Sequence, residues 1–121
     1  ISRMDYIVNV PSHYLKRMER GFSVEEIIGR YIAKKMGVPY LKNALIRNWR
    51  MPDQKVLDKK RRQENVKKMY FLNPRVSVKL KGKSLLLVDD VMTTGSTLEA
   101  CATLLKSAGA IRVSALTLAR A

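Results

Sequence analysis

Two adjacent acids, Asp89 and Asp90, are followed closely by a loop of hydroxyl-bearing residues and glycine. The loop residues are Thr93, Thr94, Gly95, Ser96 and Thr97. Carboxylates accept hydrogen bonds from hydroxyl groups, and the N–H groups at a helix N-terminus favour a phosphate. The spacing between the acids and the loop matches a ribose 5-phosphate, with its 2- and 3-hydroxyls on the acids and its phosphate in the loop. The segment therefore predicts a ribose-phosphate site.

Each of these residues also has a structural interpretation when it is taken alone. Asp89 would be a polar residue at the end of a strand, and Ser96 or Thr97 would be an ordinary helix N-cap. The combination of an apolar run, two acids and a hydroxyl-rich loop favours a binding site over these separate roles. A Walker-type nucleotide loop is excluded, because the G-x-x-x-x-G-K spacing is absent from the sequence.

The elements around this segment predict a layered α/β fold. Residues 84–88, SLLLV, are apolar without alternation, which is typical of a central parallel strand covered on both faces. Residues 97–108 predict a helix that Gly109 ends, and residues 113–118 predict a last strand. This strand–helix–strand order indicates a parallel sheet with flanking helices. In such sheets ligands bind beyond the carboxyl ends of the strands, where Asp89 is expected to lie.

Further elements are predicted in the remainder of the chain. They are a strand at Tyr6–Val10 stopped by Pro11, a helix that follows Ser23 and ends at Gly37 and Pro39, a strand within residues 40–47, a mobile loop with some helical character over 50–68, and extended pieces at Tyr70–Leu72 and Ser77–Leu80. The helix is supported by the capping-box spacing of Ser23 and Glu26. It is also supported by apolar residues at helical spacing, namely Val24, Ile27, Ile28, Tyr31, Ile32 and Met36.

Length and composition predict one domain over residues 1–121, and 46% of the residues are hydrophobic. The chain begins at Ile1, so we expect an N-terminal part of the native protein to be missing. No apolar run approaches the roughly 20 residues of a membrane span. The single cysteine, Cys101, occupies an apolar helical position and is expected to be a core thiol. One cysteine excludes an internal disulfide or a cysteine-rich zinc cluster, and a cytoplasmic location is expected.

The charge is strongly basic and unevenly distributed. The formal net charge is +14, and residues 42–83 contain fourteen basic and three acidic residues, a net charge of +11. A field of this sign attracts nucleic acid or polyphosphate ligands. A solubilising surface is the alternative interpretation. Lys59, Lys60, Arg61 and Arg62 are the candidate phosphate-backbone contacts, and Trp49 could stack on a base or simply pack in the core.

The motif VDDVMTTGST resembles the phosphoribosyl pyrophosphate (PRPP) binding motif of type I phosphoribosyltransferases. The N-terminal VNVPSHYLKRMERGF resembles the V-P-x-P-x-H…R…RGF segment of the competence-associated ComF family. Gln54, Leu57, Arg62, Asn65 and Val66 resemble that family's Q…L…R…N-V segment, and the ending ALTLAR is also similar. The resemblance covers nearly the whole chain. It implies a type I phosphoribosyltransferase-like parallel-sheet core with a flexible basic loop.

The resemblance also implies roles for individual residues. Asp89 and Asp90 would hold the ribose hydroxyls, and Thr93 to Thr97 would hold the 5-phosphate. A pyrophosphate loop would be formed by Pro11, Ser12, His13 and Tyr14, with Arg17 and Arg20 as candidate cations. A flexible loop over residues 52–66 would contain Gln54, Arg62 and Asn65. Magnesium would arrive with PRPP and bridge its oxygens near the two acids rather than occupy a preformed protein site.

Two features leave alternatives open within the resemblance. Asn9 stands where the family usually has its first proline, so the resemblance does not establish the backbone geometry of the loop that follows. His13, the only histidine, could donate to phosphate or be structural. The leading expectation is a magnesium-dependent, PRPP-binding phosphoribosyltransferase whose acceptor is unspecified. The alternatives are a protein that binds single-stranded nucleic acid for DNA uptake and a PRPP sensor without turnover. A homo-oligomer is left open.

Overall fold

A computed structural model of the chain describes residues 3–11, 24–48, 69–92 and 96–120. The strands are β1 (Tyr6–Asn9), β2 (Leu45–Arg47), β3 (Tyr70–Leu72), β4 (Ser84–Met92) and β5 (Arg112–Arg120). The helices are α1 (Val24–Met36), the single-turn α2 (Pro74–Ser77) and α3 (Ser96–Ser107). None of the helices in this described part is long and apolar enough to cross a membrane.

Within the described residues, three strands form a parallel sheet in the order β1–β4–β5. Asn9 pairs with Val88 at the end of β1, and Asp89 pairs with Thr117 of β5. The strands β2 and β3 form a separate antiparallel ribbon in which Arg47 pairs with Tyr70. The predicted α/β fold with a central parallel strand is therefore confirmed.

Alternate residues of β4 pack on opposite faces of the sheet, as the pleat of a strand requires. Leu85 and Leu87 are fully buried among residues of α3 and the ribbon, whereas Val88 packs on the side of α1. A strand covered on both faces cannot alternate between apolar and polar residues, which explains the continuous run SLLLV. The prediction of a core thiol is also confirmed, because Cys101 of α3 is fully buried in the first of these clusters.

The end of α3 follows the predicted glycine stop. Gly109 has φ 102°, a conformation that residues with a Cβ rarely adopt, and its N–H donates to the Lys106 carbonyl. The N–H of Ala110 reaches back to the Leu105 carbonyl at 3.3 Å. These two bonds satisfy carbonyls at the helix C-terminus and direct the chain into β5.

Three predictions about the elements were wrong in detail. Ser77–Leu80 is not extended, because Asn73 accepts a hydrogen bond from the Arg75 N–H and Pro74 starts a helical turn that continues to Ser77. The second strand is limited to Leu45–Arg47, after a left-handed residue at Asn43 (φ 61°) and a single bridge at Tyr40. The last strand is longer than predicted and runs over Arg112–Arg120.

The apolar residues that recur at helical spacing do not all lie on the inner face of α1. Ile27, Tyr31 and Met36 are 54%, 61% and 47% exposed, so they point away from the sheet. The inward face consists of Ile28, Gly29, Ile32 and Ala33. The small residues Gly29 and Ala33 allow the helix to approach closely, and a Cβ added at Gly29 would lie 2.7 Å from Cε1 of Tyr40.

Gly29→Ala is expected to lower the free energy of unfolding by about 1 kcal/mol, because the new methyl group overlaps the Tyr40 ring. In an open helix interior the same change would raise stability by about 1 kcal/mol. Urea unfolding measures the difference. The control is Lys34→Ala on the exposed side of α1, expected to change stability by less than about 0.5 kcal/mol. An increase in stability for Gly29→Ala would contradict this packing.

Candidate functional site

Asp89 lies toward the carboxyl end of the central strand and is only 7% exposed. Asp89 and the backbone of Asp90 belong to β4 itself. The predicted end of the strand at Val88 was therefore placed too early. Its β5 neighbour is Thr117, and β1 ends beside Val88 on the other side. Asp89 therefore occupies the edge of a parallel sheet where ligands usually bind.

The side chain of Asp89 belongs to the face of β4 that packs against α3 and the ribbon. It follows Leu85 and Leu87 in the alternation of the strand, and both contribute to the cluster that contains Tyr70 and Cys101. Tyr70 is 5% exposed and Cys101 is fully buried. The carboxylate of Asp89 thus lies where the buried core meets the carboxyl end of the sheet.

Arg47, a residue of the ribbon, lies in the same region. Its guanidinium carbon lies 5.7 Å from the centre of the Tyr70 ring, within cation–π range. The two residues are register partners at the end of the ribbon, beyond which the Asn48 N–H donates to the Met69 carbonyl at 2.6 Å. The ribbon therefore brings a cation to the same region as Asp89.

The pKa values of two neighbours show the electrostatics of this region. Burial raises the pKa of the Tyr70 hydroxyl above its ordinary value, and Cys101 and Asp89 raise it further, whereas Arg47 lowers it. Burial likewise raises the pKa of the Cys101 thiol, again with Asp89 raising and Arg47 lowering it. Asp89 and Arg47 thus act with opposite sign on the same two groups. Opposite charges in one buried cluster reduce the cost of desolvating each of them.

Arg47 and Tyr70 were not predicted to be site residues. The sequence held one signal, a single arginine at the end of the short apolar run ALIR. An arginine at the end of a short strand is more often a surface residue, and only the tertiary pairing of β2 with β3 places it beside Tyr70. We name the group Arg47, Tyr70, Asp89 and Cys101 the Asp89 cluster.

The predicted phosphate-binding loop lies between β4 and α3. β4 ends at Met92 and α3 begins at Ser96, so the helix N-terminus follows the acidic strand after only three residues. Thr97 is half-buried in the first turn of this helix and engages other groups. Thr93, Thr94 and Gly95 lie outside the described residues, as do the side chains of Asp90 and Ser96. The geometry brings a helix N-terminus and Asp89 to one end of the sheet.

The predicted pyrophosphate loop begins at the same end. The Val10 N–H donates to the Val88 carbonyl at 2.9 Å, and Pro11 follows directly. The remaining predicted residues of this loop, Ser12, His13, Tyr14, Arg17 and Arg20, lie outside the described residues. The same is true of the flexible-loop residues Gln54, Arg62 and Asn65 and of the nucleic-acid candidates Trp49, Lys59, Lys60 and Arg61. Their roles stay predictions.

The carboxylate oxygens of Asp89 are the atoms that this site offers to a metal ion. In the described ranges, no group of three or more His, Cys, Asp and Glu side chains could hold a metal ion. The carboxylate of Asp89 suits a hard cation such as Mg²⁺, which commonly keeps water or phosphate oxygens among its ligands. Asp89 thus offers one carboxylate of the kind that such a cation prefers.

Comparison with protein families gives a match to the phosphoribosyl transferase domain over residues 24–121. Competence protein F of Haemophilus influenzae is 30% identical over 115 residues, which are 95% of this chain and 50% of that protein. The DNA utilization protein YhgH of Escherichia coli K12 is 29% identical over 109 residues, which are 90% of this chain and 46% of that protein. The chain therefore spans about half the length of these relatives.

A solved structure is also similar. The glutamine phosphoribosylpyrophosphate (PRPP) amidotransferase from B. subtilis, complexed with ADP and GMP, matches with a TM-score of 0.62 and 25% sequence identity. The match covers 97% of this chain and 23% of that one. The layered α/β arrangement described above is thus shared with a much longer protein.

The raised pKa values of Tyr70 and Cys101 predict a loss of stability in alkali. Their ordinary values are 10.0 and 9.0, so the unfolded chain ionises at lower pH than the folded one. The stabilisation is therefore fully present below about pH 9 and is lost as the pH rises, by up to about 1.4 kcal/mol per pH unit for each group. Urea unfolding of the native chain between about pH 8 and pH 11 measures this loss.

Tyr70→Phe removes one of the two groups and serves as the comparison. Its stability is expected to decline less steeply than that of the native chain above about pH 10, where only the native chain can ionise Tyr70 on unfolding. Parallel pH profiles for the two proteins would contradict the assignment of a buried, un-ionised Tyr70.

Proposed function

Because this chain belongs to the phosphoribosyl transferase domain family, in its ComF branch, we propose that it binds PRPP and transfers the 5-phosphoribosyl group. The observation that carries the proposal is the position of Asp89. It is a nearly buried carboxylate at the carboxyl end of the central parallel strand, followed after a short loop by a helix N-terminus. A ribose phosphate needs both groups near each other, because the carboxylate accepts hydrogen bonds from its hydroxyls and the helix N–H groups bind its phosphate.

Asp89, with Asp90 beside it in the chain, would accept hydrogen bonds from the ribose 2- and 3-hydroxyls. The N–H groups at the start of α3, with the hydroxyls of the preceding loop, would hold the 5-phosphate. The pyrophosphate would then lie toward Pro11, where β1 ends next to β4. In this orientation all three parts of the ligand contact the same edge of the sheet.

Transfer would begin with cleavage of the bond between C1 of the ribose and the pyrophosphate oxygen. The electron pair leaves with pyrophosphate, and the ring develops positive charge that a nearby carboxylate stabilises. Magnesium, when bound, would neutralise negative charge on the departing pyrophosphate. Asp89 would orient the sugar before and during this cleavage. The positive charge of Arg47 would hold the Asp89 carboxylate in place. A PRPP sensor would use the same contacts and differ only in releasing no pyrophosphate.

Asp89→Asn is expected to weaken PRPP binding about tenfold or more, because hydrogen bonds to a charged acceptor are replaced by bonds to a neutral amide. Isothermal titration of PRPP in the presence of magnesium measures the affinity. The matched control is Asp5→Asn, the same acid-to-amide change at the other end of the β1–β4 pair, where Asp5 accepts a hydrogen bond from the Ser84 N–H. It is expected to bind PRPP as the native chain does.

Two results would reject the proposed function. One is the absence of a binding signal with native protein at millimolar PRPP and magnesium. The other is an affinity of Asp89→Asn equal to that of the native chain. Equal weakening by Asp5→Asn would show that the effect is a general loss of structure.

We also propose single-stranded nucleic acid as a second candidate ligand. Its support is the +11 charge of residues 42–83 and the name of the E. coli relative, a DNA utilization protein. Where the structure describes this segment beyond the ribbon, Arg75, Lys79 and Lys81 are exposed. Phosphate contacts release counterions, so such binding would weaken steeply with salt.

The test replaces Lys59, Lys60, Arg61 and Arg62 with glutamine. Fluorescence anisotropy with a labelled single-stranded oligonucleotide gives the salt dependence of binding. The slope of log K against log salt is expected to fall by about 0.7 for each lost phosphate contact. The control removes the same charge from exposed residues outside the segment, namely Arg3, Lys34, Lys35 and Lys106. Equal slopes for the two variants, or no binding at low salt, would reject this candidate.

A further inference from the structure

Asn9, the last residue of β1, uses both ends of its side-chain amide. Its Oδ1 atom accepts a hydrogen bond from the Tyr40 hydroxyl, and its Nδ2 atom donates to the Val10 carbonyl at 3.2 Å. Val10 is the residue before Pro11, at which the predicted pyrophosphate loop begins. The side chain of Asn9 therefore holds the peptide group through which the strand enters that loop.

Tyr40 is itself held by the backbone on either side of it. The Ile7 N–H donates to the Pro39 carbonyl at 3.0 Å, and the Leu41 N–H donates to the Ile7 carbonyl at 2.9 Å. Residues 39–41 thus run along β1 and form a parallel bridge between Tyr40 and Ile7. This pairing fixes the distance between the Tyr40 backbone and the end of β1.

The ring of Tyr40 is confined by α1. Gly29 lies against it so closely that a Cβ at that position would be 2.7 Å from Cε1. The guanidinium carbon of Arg30 lies 4.9 Å from the ring centre, within cation–π range. Glu26 binds Arg30 at 3.2 Å and Lys42 at 3.7 Å, which links the helix to the segment that carries the ring. The hydroxyl therefore has little freedom to leave Asn9.

We propose that Tyr40 is a positioning residue that, through Asn9, pre-orders the start of the pyrophosphate loop. The inference rests on the proposed PRPP-binding function and adds a residue that does not contact the ligand. A proline at position 9, which the resemblance predicts, would fix the backbone through its ring. This chain has asparagine there, and a side-chain hydrogen bond supplies the constraint instead.

The energetic consequence concerns the pyrophosphate part of the ligand. A binding segment whose first peptide group is already oriented loses less conformational freedom on binding an anion, so it binds the anion more tightly. The ribose hydroxyls are assigned to Asp89 and the 5-phosphate to the start of α3, on the face of the sheet that packs against α3 and the ribbon, whereas Tyr40 packs with α1 on the other face. Loss of the Tyr40 hydroxyl should therefore weaken binding of ligands with a pyrophosphate and spare those without one.

Tyr40→Phe removes the hydroxyl and keeps the ring that packs against Gly29. We expect the affinities for PRPP and for inorganic pyrophosphate, each measured with magnesium by isothermal titration, to fall about three- to tenfold. The affinity for ribose 5-phosphate is expected to stay within twofold of the native value. The control is Tyr31→Phe, the same change at a tyrosine of α1 that is 61% exposed. It is expected to leave all three affinities unchanged.

Asn9→Ala tests whether the effect passes through Asn9. Asn9→Ala alone should weaken pyrophosphate binding, and adding Tyr40→Phe to it should weaken binding no further, because the two side chains act as one unit. Additive losses would contradict the inference. A loss of ribose 5-phosphate affinity equal to that for PRPP would also contradict it, because it would indicate a general structural effect.

Failure of the inference and failure of the proposed function give different results. Native protein that binds PRPP, together with Tyr40→Phe that binds PRPP and pyrophosphate equally well, overturns the inference alone. Native protein that binds neither PRPP nor ribose 5-phosphate overturns the proposed function and the inference with it.

Discussion

The parallel pairing of β4 with both β1 and β5 is the constraint on which the site depends. It places β4 at the centre of the sheet, between the elements that cover its two faces, and brings the carboxyl ends of three strands to one edge. Without it, Asp89 would not lie near both the end of β1 at Asn9 and the start of α3. The apolar residues that make this strand the centre of the core are the same residues that bring a carboxylate to the site.

The burial of Asp89 makes its neighbours part of the site even though none of them needs to touch a ligand. Arg47 carries the opposite charge, the Tyr70 ring lies beside the Arg47 guanidinium, and Cys101 fills the core behind them. On the other face of the sheet, Tyr40 and Asn9 hold the end of β1 from the side of α1. Two helices and the ribbon thus support one edge of the sheet, so remote substitutions should alter binding through geometry.

Patterns within short stretches of the sequence predicted the strands and helices whose formation depends on neighbouring residues. The run SLLLV and the glycine stop at Gly109 were sufficient for the central strand, the helix and their order. The Asp89 cluster could not be predicted in this way, because Arg47 and Asp89 are 42 positions apart in the sequence, and the pairing of β2 with β3 is what places Arg47 beside Tyr70 in the same region. The contact of Tyr40 with Asn9 depends on the close approach of α1 at Gly29, which periodicity alone does not reveal. Ile27 and Tyr31 keep the apolar helical spacing but are exposed, because the face of α1 that approaches the sheet includes the small residues Gly29 and Ala33.

The most direct test of the central claim is a crystal structure of the protein soaked with PRPP and magnesium. The account predicts that the ribose 2- and 3-hydroxyls lie within hydrogen-bonding distance of Asp89 or Asp90, with the 5-phosphate at the N-terminus of α3 and the pyrophosphate beside Pro11. PRPP bound away from the carboxyl end of β4, or bound there with its phosphates exchanged, would contradict it.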